Sequence, residues 1–327
     1  MRTLVLIAVR NLVQSRKRSL MLGSAIASVT LLLVLLGGLA SGIQSTMLRA
    51  ATTLATGHVN IGGFFKITSG QASPVVTGFE PLAAIARDEI PEVKLAVDRL
   101  RGWGRVVSRK QALQIGYLGV DIDAERDFHE ILSISSGSLD DLRKKRSVLL
   151  FESQAKRLDV AVGDKLTLSA PTFRGAYNSL DVTVVAIARD LGFISRFNVI
   201  TDKATIREIY MMEAHTTGAI QLYLHDVDDA DKVAERLRAL LAERGHRIME
   251  PEKGAFWMKF PVVTREDWTG QKLDISTWQS ELQFLTWTLT SLDSITAALI
   301  AVLMIIIVVG VMNSLWMAMR ERTREIG

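Results

Sequence analysis

The chain of 327 residues contains no cysteine, which excludes disulfides, thiolate metal sites and a lipid-anchored N-terminal cysteine. Histidine is also sparse. His58, His129, His215, His225 and His246 are scattered, with no pair four residues apart and no H-E-x-x-H, so the sequence offers no zinc site. There is no G-x-S-x-G nucleophile elbow. Gly163-Asp164-Lys165 lacks the upstream glycine of a phosphate-binding loop and reads as a tight turn. The acid pairs Asp140–Asp141 and Asp228–Asp229 fall where turns and helix caps use them. No catalytic constellation remains, so the chain is expected to be no enzyme and to bind no metal or cofactor of its own. Any nucleotide hydrolysis belongs to another chain.

Charge is absent from two long stretches. Residues 19–43 and 294–319 form runs of 25 and 26 residues without a single charge. At about 1.5 Å of helical rise per residue each reaches ~37 Å, enough to cross a hydrocarbon layer of roughly 30 Å. Both read as transmembrane helices. The first is too long for the apolar region of a cleaved signal, which spans about 7 to 15 residues.

The flanking charges set an orientation. Residues 1–18 hold Arg2, Arg10, Arg16, Lys17 and Arg18 and no acid, and residues 320–327 hold three arginines against two glutamates. Between the runs, residues 44–293 carry 31 basic against 33 acidic side chains. Both ends are therefore expected in the cytoplasm and the middle segment outside it. The pI of 9.3 comes from membrane flanks, which argues against a nucleic-acid partner. Residues 1–18 read either as an amphipathic helix lying on the inner membrane surface or as a plain basic flank. Ser24 with Ser28, Gly37 with Ser41, Gly38 with Gly42 and Gly310 with Ser314 have the small-xxx-small spacing that lets helices pack closely in lipid, and Asn313 should face protein.

The segment 44–293 reads as an α+β domain. Alternation through Ile220, Leu222 and Leu224 predicts a strand. Asp228 or Asp229 then caps a helix striped by Ala230, Val233, Ala234, Leu237, Leu240 and Leu241 and ended by Gly245, and a strand follows at 247–249. A helix at 81–89 leads past Pro91 to a strand at 93–95 and to the strand-like GRVVS. These two units predict a split βαβ subdomain made of sequence-distant halves. A strand-rich insert at about 105–217 lies between them, and 251–293 is read as a connector back to the membrane, with four of the six tryptophans.

The ending MNSLWMAMRERTREIG resembles the stretch leaving the second transmembrane helix of FtsX-like permeases of ABC transporters, the MacB and LolC/LolE group. There an Asn and apolar residues precede an E-R-T-R-E-I-G element, which Glu321, Arg322, Thr323, Arg324, Glu325, Ile326 and Gly327 match position for position. AVRNLVQSRKRSLM, GHVNI, YLGVDIDAERDF and ESQAKRLDVAVGDKLTL are similar to other parts of that family, so the resemblance covers nearly the whole chain. It implies a multi-pass bacterial inner-membrane protein with a MacB-like periplasmic core domain. Family permeases carry two further transmembrane helices after this element, so the chain is expected to be a fragment of a four-helix protein.

The resemblance further implies a permease that dimerises with a second permease subunit, as a homo- or heterodimer, and binds a separate ABC ATPase carrying ATP-Mg. Transport by mechanotransmission would follow, with Arg320 and the element 321–327 as the coupling handle. Because the ATPase domain does not precede the permease here, the LolC/LolE arrangement is nearest and lipoprotein release the leading expectation. A MacB-type exporter of peptides or lipids, an FtsX-type transmitter activating periplasmic hydrolases and a two-span receptor or scaffold are the alternatives. Acyl chains would need an apolar groove, for which Leu39, Ile43, Met47, Trp278, Leu282, Leu285 and Trp287 are candidates; interfacial anchoring is the plain alternative for the tryptophans. The loop 169–181, with Phe173, Arg174 and Tyr177, stands roughly where the lipoprotein exporter carries its hook for a periplasmic chaperone, or is a simple solvated hairpin.

Overall fold

The computed structural model describes residues 16–172, 175–192, 194–251 and 254–326. Helix α1 (Arg16–Ala51) runs into a π turn (Thr52–Thr56), and β1 (Val59–Thr68), β2 (Gln71–Ser73) and β3 (Val76–Thr77) follow. Next come α2 (Phe79–Glu89), β4 (Val93–Val107), β5 (Ala112–Val120), α3 (Asp127–Ile131) and β6 (Ile134–Gly137). The chain continues through β7 (Ser147–Phe151), α4 (Glu152–Leu158), β8 (Lys165–Pro171), β9 (Tyr177–Ala188), β10 (Asn198–Asp202) and α5 (Lys203–Tyr210). It closes with β11 (Thr216–Thr217), β12 (Ala219–Leu224), α6 (Ala230–Glu243), α7 (Phe256–Arg265), β13 (Gly270–Thr277), α8 (Trp278–Glu281) and α9 (Gln283–Ile326).

The chain separates into two units, Met1–Leu48 with Phe284–Gly327, and Arg49–Gln283. In the first, the two helices expose Leu31, Leu32, Val34 and Leu35 on one and Ile305, Ile306, Val308 and Val309 on the other. Consecutive residues point in all directions around a helix, so each is apolar all round, the composition of a helix meant for lipid or protein rather than water. Gly23–Thr56 and Gln283–Asn313 are long and apolar enough to cross a membrane. In the polar lead-in of α9 the hydroxyls of Thr288, Thr290, Ser291 and Ser294 are satisfied within the helix, each donating to the carbonyl four residues back at 2.8–2.9 Å. Gln44 donates to the Asp293 carboxylate between the two helices.

The second unit is built on a large sheet in the order β13-β1-β12-β4-β5-β10-β7-β9-β6, with β2 on β1 and β8 pairing β4 and β9, and a separate two-stranded pair of β11 and β3. In its first part β13, β1, β12 and β4 are antiparallel neighbours, and α2 and α6 pack on one face. The stripe of α6 buries Ala230, Val233, Ala234, Leu237 and Leu241, leaving Leu240 half-buried. The insert has its own core, which runs from Leu100 through Val148, Leu168, Val184 and Ile206 to Tyr210. In β4, Gly102 and Gly104 leave room for two tyrosines: a Cβ at Gly102 would lie 2.3 Å from the Tyr210 ring, and one at Gly104 would lie 2.6 Å from the Tyr117 hydroxyl. Tyr210 Oη accepts from the Trp103 N–H (2.7 Å) and donates to its carbonyl (2.9 Å).

Several expectations change. The strands at 93–95 and GRVVS are one continuous β4. Residues 247–249 form only a bridge from Ile248 to Leu273. Asp229 stands at the N-cap of α6 but makes no side-chain capping bond; Asp226 caps the short 3-10 turn ahead of it, accepting from the Asp228 N–H at 3.0 Å. The connector 251–293 is largely domain: β13 pairs with β1 from Val59↔Thr277 to Lys66↔Gly270 and forms the edge of the sheet. The loop 169–181 shrinks to 172–176, because β8 and β9 remain paired to Pro171↔Tyr177.

Candidate functional site

Cross-strand pairing sets Ser276, Asn60 and Gln221 in a row across β13, β1 and β12. The period of two along each strand adds Asp274, Gly62, Tyr223 and, on β4, Arg99 and Arg101 to that face. The opposite face presents Val59, Ile61, Leu222, Ile220, Ile275 and Leu273 toward α2 and α6. One side of this part of the sheet is therefore an ordinary apolar core and the other is a polar layer. Asn60, Arg99, Gln221, Asp274, Ser276, Glu125 and Glu281 in that layer are all buried.

The layer closes against the segments that carry the chain into and out of the domain. Gln221 Nε2 donates to the Ala55 carbonyl in the π turn at 3.0 Å. The Thr53 carbonyl accepts from the Tyr223 hydroxyl at 3.3 Å and from Arg99 Nη2 at 3.4 Å. Arg99, fully buried, pairs with the Glu125 carboxylate and lies 5.2 Å over the Phe128 ring. Glu125 also accepts from the Asp121 N–H at 3.2 Å. A buried guanidinium without such a counter-charge would be prohibitively desolvated. On the outgoing side, Glu281 accepts from the Ser276 hydroxyl at 2.7 Å and the Phe256 N–H at 3.3 Å. The two roots meet where the Trp278 N–H donates to the His58 carbonyl at 3.0 Å.

Burial shapes the titrations here. Desolvation, with Lys94 adding to it, holds the His58 imidazole below its ordinary pKa, and its Nδ1 accepts the Leu224 N–H at 3.0 Å. The Tyr223 phenol is pushed up to about 12 by burial, against the opposing pull of Arg99. Burial also lowers the Arg101 guanidinium, which Glu281 opposes; its Nη2 reaches Asn60 Oδ1 at 3.5 Å.

Of the groove candidates, Leu39, Ile43 and Trp287 are exposed, Met47 and Leu282 are half-buried, and Trp278 and Leu285 are buried. Two of the seven are thus withdrawn from any open apolar surface. Arg320 is exposed on α9, its guanidinium 4.7 Å from the Trp316 ring centre. The helix backbone continues through Glu321, Arg322, Thr323, Arg324, Glu325 and Ile326, while Gly327 lies outside the described residues. Phe173 and Arg174 also lie outside them, as do residues 1–15 of the proposed interfacial helix; Tyr177 is 73% exposed at the head of β9. Asn313 is exposed on α9. Sequence reading missed the polar layer. Its available signal was DRLRGWGR, charges alternating with apolar residues inside a strand.

Residues 20–240 match the family described as the MacB-like periplasmic core domain, and the chain belongs to that family. It is an FtsX/MacB-like permease of the ABC type. Comparison with curated protein sequences gives no match. Among solved structures, the chain is similar to the extracellular domain of the noncanonic ABC-type transporter YknZ from Gram-positive bacteria, with 13% identity, 57% of this chain and 94% of that one covered, and a TM-score of 0.38. It is similar to the periplasmic region of MacB from Actinobacillus actinomycetemcomitans, with 13% identity, 70% and 92% covered, and a TM-score of 0.40. A domain of a putative permease protein from Porphyromonas gingivalis has 15% identity, 56% and 79% covered, and a TM-score of 0.34.

Proposed function

We propose that this chain is the membrane subunit of an ABC transporter that passes force from a separate ATPase subunit, which carries ATP-Mg, to an extracytoplasmic domain, and that its substrate is a lipoprotein released from the inner membrane. In this reading the helices at 19–43 and 294–319 cross the bilayer with both ends cytoplasmic, and the chain acts with a second permease subunit. The observation that carries the reading is the pairing of β1 with β13. The strand that follows the first long helix and the strand that precedes the second are hydrogen-bonded neighbours from Val59↔Thr277 onward. A pull on either helix is thereby delivered to one rigid edge of the domain, and the buried ties of Thr53, Ala55 and Glu281 resist its loss in slack backbone.

The lipoprotein assignment draws on the exposed apolar side chains Leu39, Ile43 and Trp287, which suit acyl chains arriving laterally. The test is photocrosslinking from positions 43 and 287 in the full-length protein in cells. Capture of a triacylated protein, released on ATP turnover, is the expected result. Blanks at both positions sink the lipoprotein assignment. Dependence on an adaptor and an outer-membrane channel would instead identify a peptide or lipid exporter, and capture of a cell-wall hydrolase with no exported substrate would identify a transmitter.

A further inference from the structure

The π turn at Thr52–Thr56 is an uncommon element in an informative position. A π turn is an α-helix with one residue too many, closed here by the Gly57 N–H donating to the Thr52 carbonyl at 2.6 Å. Such single-turn bulges are rare and are frequently found at functional sites. This one is buried at Thr52, Thr53, Leu54 and Thr56 and directly continues the first long helix. Its carbonyls at Thr53 and Ala55 are gripped by side chains of the sheet, Tyr223, Arg99 and Gln221.

The socket holds more donors than the turn uses. Among the described residues, six buried side-chain nitrogen or oxygen atoms lack a partner, and three of them are donors of this layer: Asn60 Nδ2, Arg99 Nε and Arg99 Nη1. A buried donor without a partner costs about 1–3 kcal/mol, so a surplus on the very residue that grips the turn calls for an explanation.

We propose that the turn at Thr52–Thr56 is a two-position seat. In the position observed, Thr53 and Ala55 are held by Tyr223, Arg99 and Gln221. In the second, the extra residue of the bulge migrates by a turn's hydrogen bonding, the helix advances or rotates, and the carbonyls it carries in are received by the spare donors of Arg99 and Asn60. Packed interfaces respond to small displacements by switching between discrete arrangements, and a socket with reserve donors gives two such arrangements in which no carbonyl is stranded in a dry interior. The inference rests on the force-transmitting reading above and adds where the movement is taken up.

The test is amide hydrogen exchange on the full-length chain assembled with its ATPase partner in nanodiscs, nucleotide-free and trapped with ADP-vanadate. Exchange across residues 52–57 should change by ~10-fold or more between the two states while the amides of β1 and β12 keep theirs, because only local opening is altered. The volume-conserving pair Gln221→Met and Tyr223→Phe should loosen residues 52–57 in the nucleotide-free state to the trapped level and reduce ATP-driven substrate release. Unchanged exchange at 52–57 on trapping, with release intact, overturns the seat and leaves the transport reading standing. Absence of any nucleotide-dependent response or release in the wild type takes down both. Should the double variant fail to fold, the wild-type comparison alone decides. Ordered waters on Arg99 Nε, Arg99 Nη1 and Asn60 Nδ2 in high-resolution structures of both states, with the π turn unmoved, would also overturn it.

Discussion

Lys259 of α7 and Asp274 of β13 form a two-pronged ion pair, with Nζ 2.8 Å from each carboxylate oxygen and side-chain exposures of 3% and 2%. It fixes α7 on the polar face of the sheet, assisted by Phe256 stacked on Phe64 at 4.7 Å and by Lys66, which donates to the Val263 and Glu266 carbonyls at 2.9 and 2.6 Å. Removing one member strands the other charge out of water, whereas replacing both with apolar residues does not. Lys259→Met should therefore lower unfolding stability by about 3 kcal/mol, and Lys259→Met with Asp274→Leu should recover most of that loss. Denaturant titration of the detergent-solubilised chain checks it. Equal losses in the single and double variants would mean the pair matters only through shape.

Gly57 permits the turn out of the first helix. Its φ of +67° lies in the region that side chains avoid, and a Cβ there would meet the Gln221 Cβ at 3.0 Å and the Leu222 carbonyl at 3.3 Å. Gly57→Ala should cost about 2 kcal/mol of stability through backbone strain and crowding. Gly70→Ala, where the same probe meets nothing within 4 Å, should be near neutral by thermal unfolding.

Much of the fold was legible where one periodicity ruled. The α6 stripe, the β12 alternation and the two charge-free helices follow from spacing alone, because each has one uniform neighbour, core or apolar medium. The polar layer was not legible because its residues are distant in sequence. Nothing in the sequence marks Arg99 as buried until Glu125, Tyr223 and Thr53 are brought to it by the fold. β13 was hidden for a similar reason. GQKLDIST alternates Lys272, Asp274 and Ser276 on the polar face with Leu273 and Ile275 on the apolar one, and Lys259, the partner that buries Asp274, is likewise brought to it only by the fold. The candidate groove was read from apolar residues close to the two long helices, and that proximity does not distinguish buried Trp278 from exposed Trp287.

The His58 imidazole should make the domain acid-sensitive. Burial and Lys94 lower its pKa while Asp127 and Asp226 raise it, and the net direction is down. The folded state thus refuses a proton that the unfolded chain accepts once pH falls below about 6.5, so stability rises with pH and is lost as pH drops through that value toward the folded pKa. One such proton changes stability by at most about 1.4 kcal/mol per pH unit. Protonation also deprives Leu224 N–H of its acceptor. His58→Asn, whose carbonyl can still accept, should be less sensitive than wild type between about pH 7 and 5 in denaturant titrations. Parallel profiles for the two proteins would remove His58 as the cause.

If the chain transmits force as proposed above, the charged end of α9 should couple to the ATPase through its acids. Arginines alone would suffice for anchoring, since their long stems let the charged heads reach lipid phosphates from an apolar helix. Glu321 and Glu325 gain nothing from phosphate, and both belong to the helical segment beyond Arg320, whose guanidinium is engaged over Trp316. In the full-length protein, Glu321→Lys with Glu325→Lys keeps the helix and increases attraction to anionic lipid, so membrane insertion should be unaffected or improved. Recovery of the ATPase partner on affinity capture should nevertheless fall by about tenfold or more, because reversing the charges sets like charge against the groups that had paired with the glutamates, and a tenfold loss is ~1.4 kcal/mol. Substrate-stimulated ATP hydrolysis should fall with it. Unchanged capture and unchanged stimulated hydrolysis would reduce the segment to a membrane flank and move the ATPase contact elsewhere in the protein.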